Sequence, residues 1–406
     1  MLFVAAAATW LVVVAEAEAA APTAVDRSAV SWPDADWPAE MGSLPLGNGD
    51  VSSNVWVDRR SGDLLLYLAK SDAFDINALP IKVGRVRVAF DPPLWVLGHN
   101  ASGWSQTLTP ATGTFSISTS GETGYKLTVV VDANAPVLRI TSTHGSSAFT
   151  ATATLEMYHP ESNWRRNETR SFGQLSGESF NASAGNDNGM GSYCLERFLE
   201  PDTVVPAAEL AAHAPIKSSV VWFHRNVDPQ AAHGLPSYYA NVMRTQGLDP
   251  AAFDDPLLHR TFGGAMGGGA GFTRADDTSL AAAASAGHNV ALEIVLQTEE
   301  ACDSTDEWLS ALSSTVTAEQ SRGTPTEKAA AHVAKWADLW GRSHVDISAV
   351  DPEADASSVE MVNDAYVWQR YLDLADGRDT WGVIKFNGQV TEPPAPPSLP
   401  VQSAAH

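Results

Sequence analysis

The sequence predicts a mostly β protein: a large antiparallel sandwich, then a helical linker, then the opening of a helical domain. Three observations predict it. Between residues 23 and 300, short runs rich in Val, Ile, Thr and aromatics alternate with Gly, Pro, Asp and Asn. Helical patterns are few over that stretch. At Cys302 the apolar spacing changes from that of strands to that of helices.

The expected strands lie at residues 51–57, 64–70, 82–90, 113–119, 125–131, 137–142, 149–158, 218–224 and 290–298. Alternation is clearest in Lys82-Val-Gly-Arg-Val-Arg-Val-Ala-Phe90. There Val and Phe are expected to face the core, and Lys82, Arg85 and Arg87 to face water. Residues 171–191 are polar and Gly-rich and read as a loop, as does Gly263-Gly-Ala-Met-Gly-Gly-Gly-Ala-Gly-Phe272. No solenoid or propeller repeat is visible.

Three helices follow. The first opens on the cap-type residues around Ser304 and places Trp308, Leu309 and Leu312 at helical spacing. The second begins near Thr324-Pro-Thr-Glu-Lys, with Thr326 as the expected N-cap and Val333, Trp336 and Trp340 as the buried stripe. The third runs over residues 357–376, with Val359, Val362, Tyr366 and Leu374 on one side. Beyond Gly388 the chain carries five prolines within residues 393–400. Each removes an amide donor, so residues 391–406 are expected to be a disordered tail.

Residues 1–21 read as a cleaved secretory signal: an apolar run too short to span a bilayer, then small-residue cleavage sites before Pro22. The n-region has no Lys or Arg. Three N-x-S/T sequons, at Asn100, Asn167 and Asn181, agree with a secreted or extracellular protein. Cys194 and Cys302 are the only cysteines. They read either as two buried thiols or as one disulfide, which by closing a loop of roughly 100 residues would contribute about 4–5 kcal/mol.

The net charge of −23 is spread along the chain rather than gathered in runs. Nucleic acid and anionic membranes need clustered Lys and Arg, so both are excluded as expected partners, and no membrane association is expected after signal cleavage. Thirteen Trp residues fit a large core, and some could serve as stacking faces for pyranose rings. No metal or cofactor is expected, because zinc spacings, EF-hand loops and nucleotide fingerprints are absent; Asn186-Asp-Asn-Gly189 reads as a loop. Nucleophile-elbow and metalloprotease motifs are absent too.

Two constellations remain as candidate sugar-binding sites. His224, Arg225 and Asn226 end a strand, where they could bond sugar hydroxyls or satisfy nearby backbone. Trp381, Lys385 and Asn387 combine a stacking face, a cation and an amide within one segment, which reads either as a sugar subsite or as a packed turn. No pair of carboxylates stands out as the acid and base of a glycosidase.

Leu44-Pro-Leu-Gly-Asn-Gly-Asp-Val-Ser-Ser-Asn-Val-Trp-Val57 resembles the strand that opens glycoside hydrolase family 95, the α-L-fucosidase family. A closer similarity is to a related group known as domain of unknown function 5703. It runs in order through Asp63-Leu-Leu-Leu-Tyr-Leu-Ala-Lys-Ser-Asp-Ala-Phe-Asp75, residues 82–88, Phe223-His-Arg-Asn226 and residues 255–264. It continues through Trp336-Ala-Asp-Leu-Trp-Gly-Arg-Ser343, Gln369-Arg-Tyr371 and Ile384-Lys-Phe-Asn-Gly388. The resemblance implies a β-supersandwich over residues 23–300, a helical linker over 301–356 and, over 357–390, the truncated start of an (α/α)6 barrel. In the fucosidase family the catalytic residues follow the position matching Lys385-Phe-Asn-Gly388, so none is carried over. The expected function is therefore that of a secreted carbohydrate-active protein, the N-terminal portion of a family-95-like hydrolase, inactive alone. The alternatives are a non-catalytic glycan-binding module and a fragmentary gene product without independent function.

Overall fold

The computed structural model describes residues 24–32, 43–58, 60–78, 80–94, 104–118, 125–144, 149–157, 163–164, 198–234, 237–284, 290–348 and 356–378. Two antiparallel sheets face each other. The nine-stranded sheet runs, edge to edge, Val30–Trp32, Ser105–Thr109, Thr114–Ser118, Tyr125–Val131, Val137–His144, Val290–Glu299, Thr261–Ala270, Val220–Arg225 and Thr203–Val205. The seven-stranded sheet runs Phe272–Arg274, Ser279–Ala284, Phe149–Glu156, Gly84–Asp91, Leu64–Lys70, Val51–Val57 and Leu44–Gly47. This is the large antiparallel supersandwich, and the inward side chains of both sheets form one apolar core.

Two strand expectations are corrected. Residues 263–272 do not form a loop; Thr261–Ala270 is an interior strand of the larger sheet. Its glycines answer a packing demand. A Cβ on Gly263 would collide with the carbonyl of Trp222, and one on Gly264 would lie 2.7 Å from the carbonyl of Val295. The buried indole of Trp222, on the neighbouring strand, donates to Val83 O across the sandwich at 2.7 Å. In the strand Gly84–Asp91 the alternation holds, and Arg85 and Arg87 reach Glu156 at the surface. Lys82, however, is buried, with its ammonium 5.5 Å above the ring of Tyr67.

Six helices are described. Ala24–Arg27 (α1) precedes the sandwich. Pro229–His233 (α2) and Tyr238–Thr245 (α3) lie in an excursion between two strands. Thr305–Ser321 (α4), Pro325–Arg342 (α5) and Ala356–Asp376 (α6) follow the last strand. Ser304 caps α4, whose Trp308, Leu309 and Leu312 pack with Val221, Phe223 and Val295 on the outer face of the larger sheet.

The cap of α5 is Thr324 rather than Thr326. Pro325 takes the first helical position, where no amide donor is needed, and Glu327 closes a capping box with Thr324. Its buried face contains Trp336 and Trp340 as expected, with His332 and Leu339, while Val333 is 43% exposed. On α6 the buried stripe is Asn363, Val367, Tyr371 and Ala375; Val362 is 54% exposed, and Val359, Tyr366 and Leu374 are only partly covered. On α5 the buried face is displaced from Val333 to His332, and on α6 a neighbouring face is buried, because polar side chains there bond specific backbone groups. His332 bonds two turns of the sandwich, and Asn363 accepts from Ile347 N–H at 2.9 Å and donates to Ile347 O at 3.0 Å.

Candidate functional site

The sequence motifs converge on one end of the sandwich, where they form two polar assemblies joined through Leu44-Pro-Leu-Gly-Asn-Gly-Asp50. The first assembly is ionic and buried. Lys70 Nζ donates to Asp50 at 2.6 Å and to both oxygens of Asp72 at 3.1 Å. Burial by itself would lower the pKa of Lys70, but Asp50 and Asp72 outweigh it and the net shift is upward. Thr298 Oγ1 donates to Asp72 at 2.7 Å, and Arg260 donates to the carbonyl of Asp72 at 3.0 Å. Asp75 accepts from the amide and the side chain of Asn77 in a tight turn.

His224, Arg225 and Asn226 border this assembly. His224 is buried, donates through Nδ1 to Asp202 at 3.2 Å and stacks on Phe262 at 5.2 Å. Arg225 donates to Thr261 Oγ1 at 3.0 Å and lies over the Phe223 ring. Asn226 donates to Phe74 O and Leu257 O, both at 2.9 Å, and its backbone pairs with Arg260 and His259. It thereby staples the base of the excursion that carries α2 and α3. Three family-like segments, 63–75, 223–226 and 255–264, thus meet through bonds to one another.

The second assembly seats the helices. Asn48 uses its whole amide: Oδ1 accepts from Asp50 and Val51 N–H, and Nδ2 donates to Asp132 O and Ala135 O at 2.7 and 2.9 Å. It therefore ties the turn 47–50 of one sheet to the turn 132–135 of the other. His332 on α5 accepts from Ala133 N–H at 3.0 Å through Nδ1 and donates from Nε2 to Thr112 O at 2.8 Å. Trp340 Nε1 donates to Pro110 O at 3.0 Å. Trp336 stacks on Tyr371 of α6 at 5.4 Å, and Tyr371 Oη donates to Pro45 O at 2.8 Å. Arg378 lies 4.9 Å over Trp336 and donates to Gly47 O at 3.3 Å. Burial pulls its pKa down to about 10.

A charged clasp secures α5 and the end of α4 to the sandwich. Arg139 pairs with Asp132, Glu319 and Glu293; Arg322 reaches Asp132 and Glu319, and Lys328 reaches Glu319 at 2.8 Å. Asp132 and Glu319 are both held below their ordinary pKa values, since these cations outweigh the opposing effect of burial. Among the described residues, each buried carboxylate has a partner: Asp63, Asp72, Asp75, Asp132, Asp202 and Glu319. No cluster with metal-binding composition occurs among the described residues.

Trp381, Lys385, Asn387, the sequons at Asn100, Asn167 and Asn181, and the signal region lie outside the described residues, as does Cys194. Cys302 is buried, its Sγ 3.2 Å from Ser304 O, and burial raises its pKa. The residues that sequence reasoning missed are Asp50, Asp72, Arg139, His332 and Arg378. Asp50 and Asp72 carried a signal, each within a motif already singled out, the Leu44–Val57 and Asp63–Asp75 segments.

No curated protein matches the chain. Among solved structures 24 chains match. One is a human-microbiome protein assigned as a kojibiose phosphorylase, with 8% identity and a TM-score of 0.43; the match covers 86% of this chain and 41% of that one, so the chain spans less than half its length. Residues 36–345 match the family described as domain of unknown function DUF5703, in its N-terminal part. That span is most of the chain and contains both polar assemblies apart from α6: the chain belongs to the DUF5703 family.

Proposed function

We propose that this chain is the sandwich-and-linker portion of a secreted carbohydrate-active protein related to family-95 glycoside hydrolases. In this reading residues 23–300 form the sandwich and 301–356 the linker. Residues from 357 onward open a helical domain in which sugar chemistry takes place. The observation that carries it is the seating of α6. The Leu44-Pro-Leu-Gly-Asn-Gly49 segment, which prompted the family-95 resemblance, is the receptor for the C-terminal end of that helix. A motif used to hold a helix in place belongs to a sandwich that positions a helical partner.

Inverting glycoside hydrolysis needs an acid and a base about 6.5–9.5 Å apart with room for water. The buried carboxylates of the described residues are all engaged in ionic or turn contacts, which favours a supporting role for this part of the molecule. The purified 406-residue chain is expected to show no turnover of aryl fucosides or aryl galactosides. Hydrolysis that is abolished by denaturation would overturn this reading.

The second reading is a glycan-binding module, favoured by the combination of Trp381, Lys385 and Asn387 in one segment. Calorimetric titration with neutral polysaccharides should then detect binding that weakens in Trp381→Ala. Absence of binding in the parent chain removes it.

A further inference from the structure

His332 sits where α5 meets two turns of the sandwich, and its two ring nitrogens have opposite duties. Nδ1 accepts from Ala133 N–H at 3.0 Å, and Nε2–H donates to Thr112 O at 2.8 Å. Only the neutral ring with its proton on Nε2 satisfies both. The ring is buried, so water cannot substitute for either partner. Added protonation would place Nδ1–H against Ala133 N–H, donor against donor.

The surroundings do not welcome that charge. The turn 110–113 offers a carbonyl and no ionisable group. The turn 132–135 offers Asp132, already paired with Arg139 and Arg322. The strand Val137–His144 contributes Arg139, and the end of α4 contributes Glu319 with Arg322. α5 itself contributes Lys328, and the α6 end contributes Tyr371 and Arg378. Burial is the largest influence on His332 and lowers its pKa. Thr112 and Asp132 oppose this, Arg139 and Arg378 reinforce it, and the net shift is downward.

We infer that His332 is an acid-sensitive latch, through which mild acidity releases α5, and with it the α6 junction, from the 110–113 and 132–135 turns of the sandwich. This is independent of which sugar, if any, the protein handles. The direction follows from linkage. A histidine whose folded pKa lies below its free value of 6.5 binds fewer protons when docked than when released. Docking is thus fully supported above that value and weakens as pH falls through it.

The test is hydrogen exchange on the full chain between pH 8 and pH 5, corrected for intrinsic amide rates. Protection of Ala133 and of the α5 amides should fall by up to about tenfold per pH unit below 6.5. In His332→Gln, which keeps an acceptor and a donor but does not titrate, protection should be nearly flat. An equal pH dependence in that variant overturns the inference. NMR titration of the His332 ring in the parent chain decides independently of how the variant folds. A midpoint below 6.5 that coincides with the loss of α5 protection supports the latch, whereas a midpoint at or above 6.5 overturns it.

Discussion

Gly49 N–H donates to Ala375 O at 2.8 Å, so a turn near the start of the sandwich receives the end of a helix more than 300 residues later. The last carbonyls of a helix have no partner within it, and here a sandwich amide satisfies one of them. Two glycines permit the approach. Gly49 has φ of +87°, and a Cβ on Gly47 would collide with the Ala375 carbonyl. Gly47→Ala and Gly49→Ala should each cost about 1–3 kcal/mol. Both should accelerate proteolytic cleavage within α6, measured as a cleavage rate with the sandwich intact.

Tyr371 is fully buried, and its hydroxyl meets Pro45 O. Tyr371→Phe keeps the stack on Trp336 but removes that hydrogen bond. A loss of about 1–2 kcal/mol in urea unfolding is expected. Burial raises the pKa of this phenol, so its bond should persist through mildly alkaline pH.

The clasp around Arg139 makes a different prediction. Removing Glu319 leaves Arg139 and Lys328 buried beside one fewer anion. Glu319→Ala should cost about 3–5 kcal/mol, whereas replacing the network with packed apolar residues should cost much less. Asp132 and Glu319 have folded pKa values below their free values of 3.8 and 4.5. Their contribution is therefore complete above those values and lost as pH falls below them. Denaturant midpoints measured from pH 7 to pH 2.5 should show this loss at lower pH than the His332 effect.

Asn226 tests the strand-end constellation. Its amide bonds Phe74 O and Leu257 O at the base of the excursion. Asn226→Ala should destabilise by about 1–3 kcal/mol and speed proteolysis within residues 227–258. A variant with unchanged proteolysis and thermal unfolding would show that the staple does not hold the excursion.

Gly264 sits between Trp222 and Leu296 in an interior strand. Gly264→Val should overpack this site and lower the thermal midpoint, with a cost of about 1–3 kcal/mol or more. A residue in a mobile loop would tolerate it.

Strands that obey the period of two, such as Gly84–Asp91 and Tyr125–Val131, were legible because local side-chain pattern and burial agree. The strand Thr261–Ala270 was illegible for a definite reason. Glycine has no side chain to display a period, and its presence reflects the close approach of the Trp222 and Val295 carbonyls on the adjacent strands. The helices were legible in position, and α4 and the Trp336–Trp340 side of α5 in orientation as well, whereas α6 and the Val333 edge of α5 were not. Val333 and Val362 have the hydrophobicity of core residues, yet His332 and Asn363 take the buried positions by bonding backbone groups of other segments. The strand-end constellation was visible as residue types, but its partners at Phe74, Leu257 and Asp202 are remote in sequence.

The sequence by itself determined the mostly β class, the change to helices after Cys302 and the segments that carry the family likeness, because each depends on local composition and period. Tertiary structure alone decided what those segments do. Asn48 joins two sheets, Gly47 and Gly49 receive α6, and Lys70 holds Asp50 and Asp72 together inside the fold. Those roles depend on which unpaired backbone and charged groups the packed chain brings within bonding distance. No local pattern encodes that.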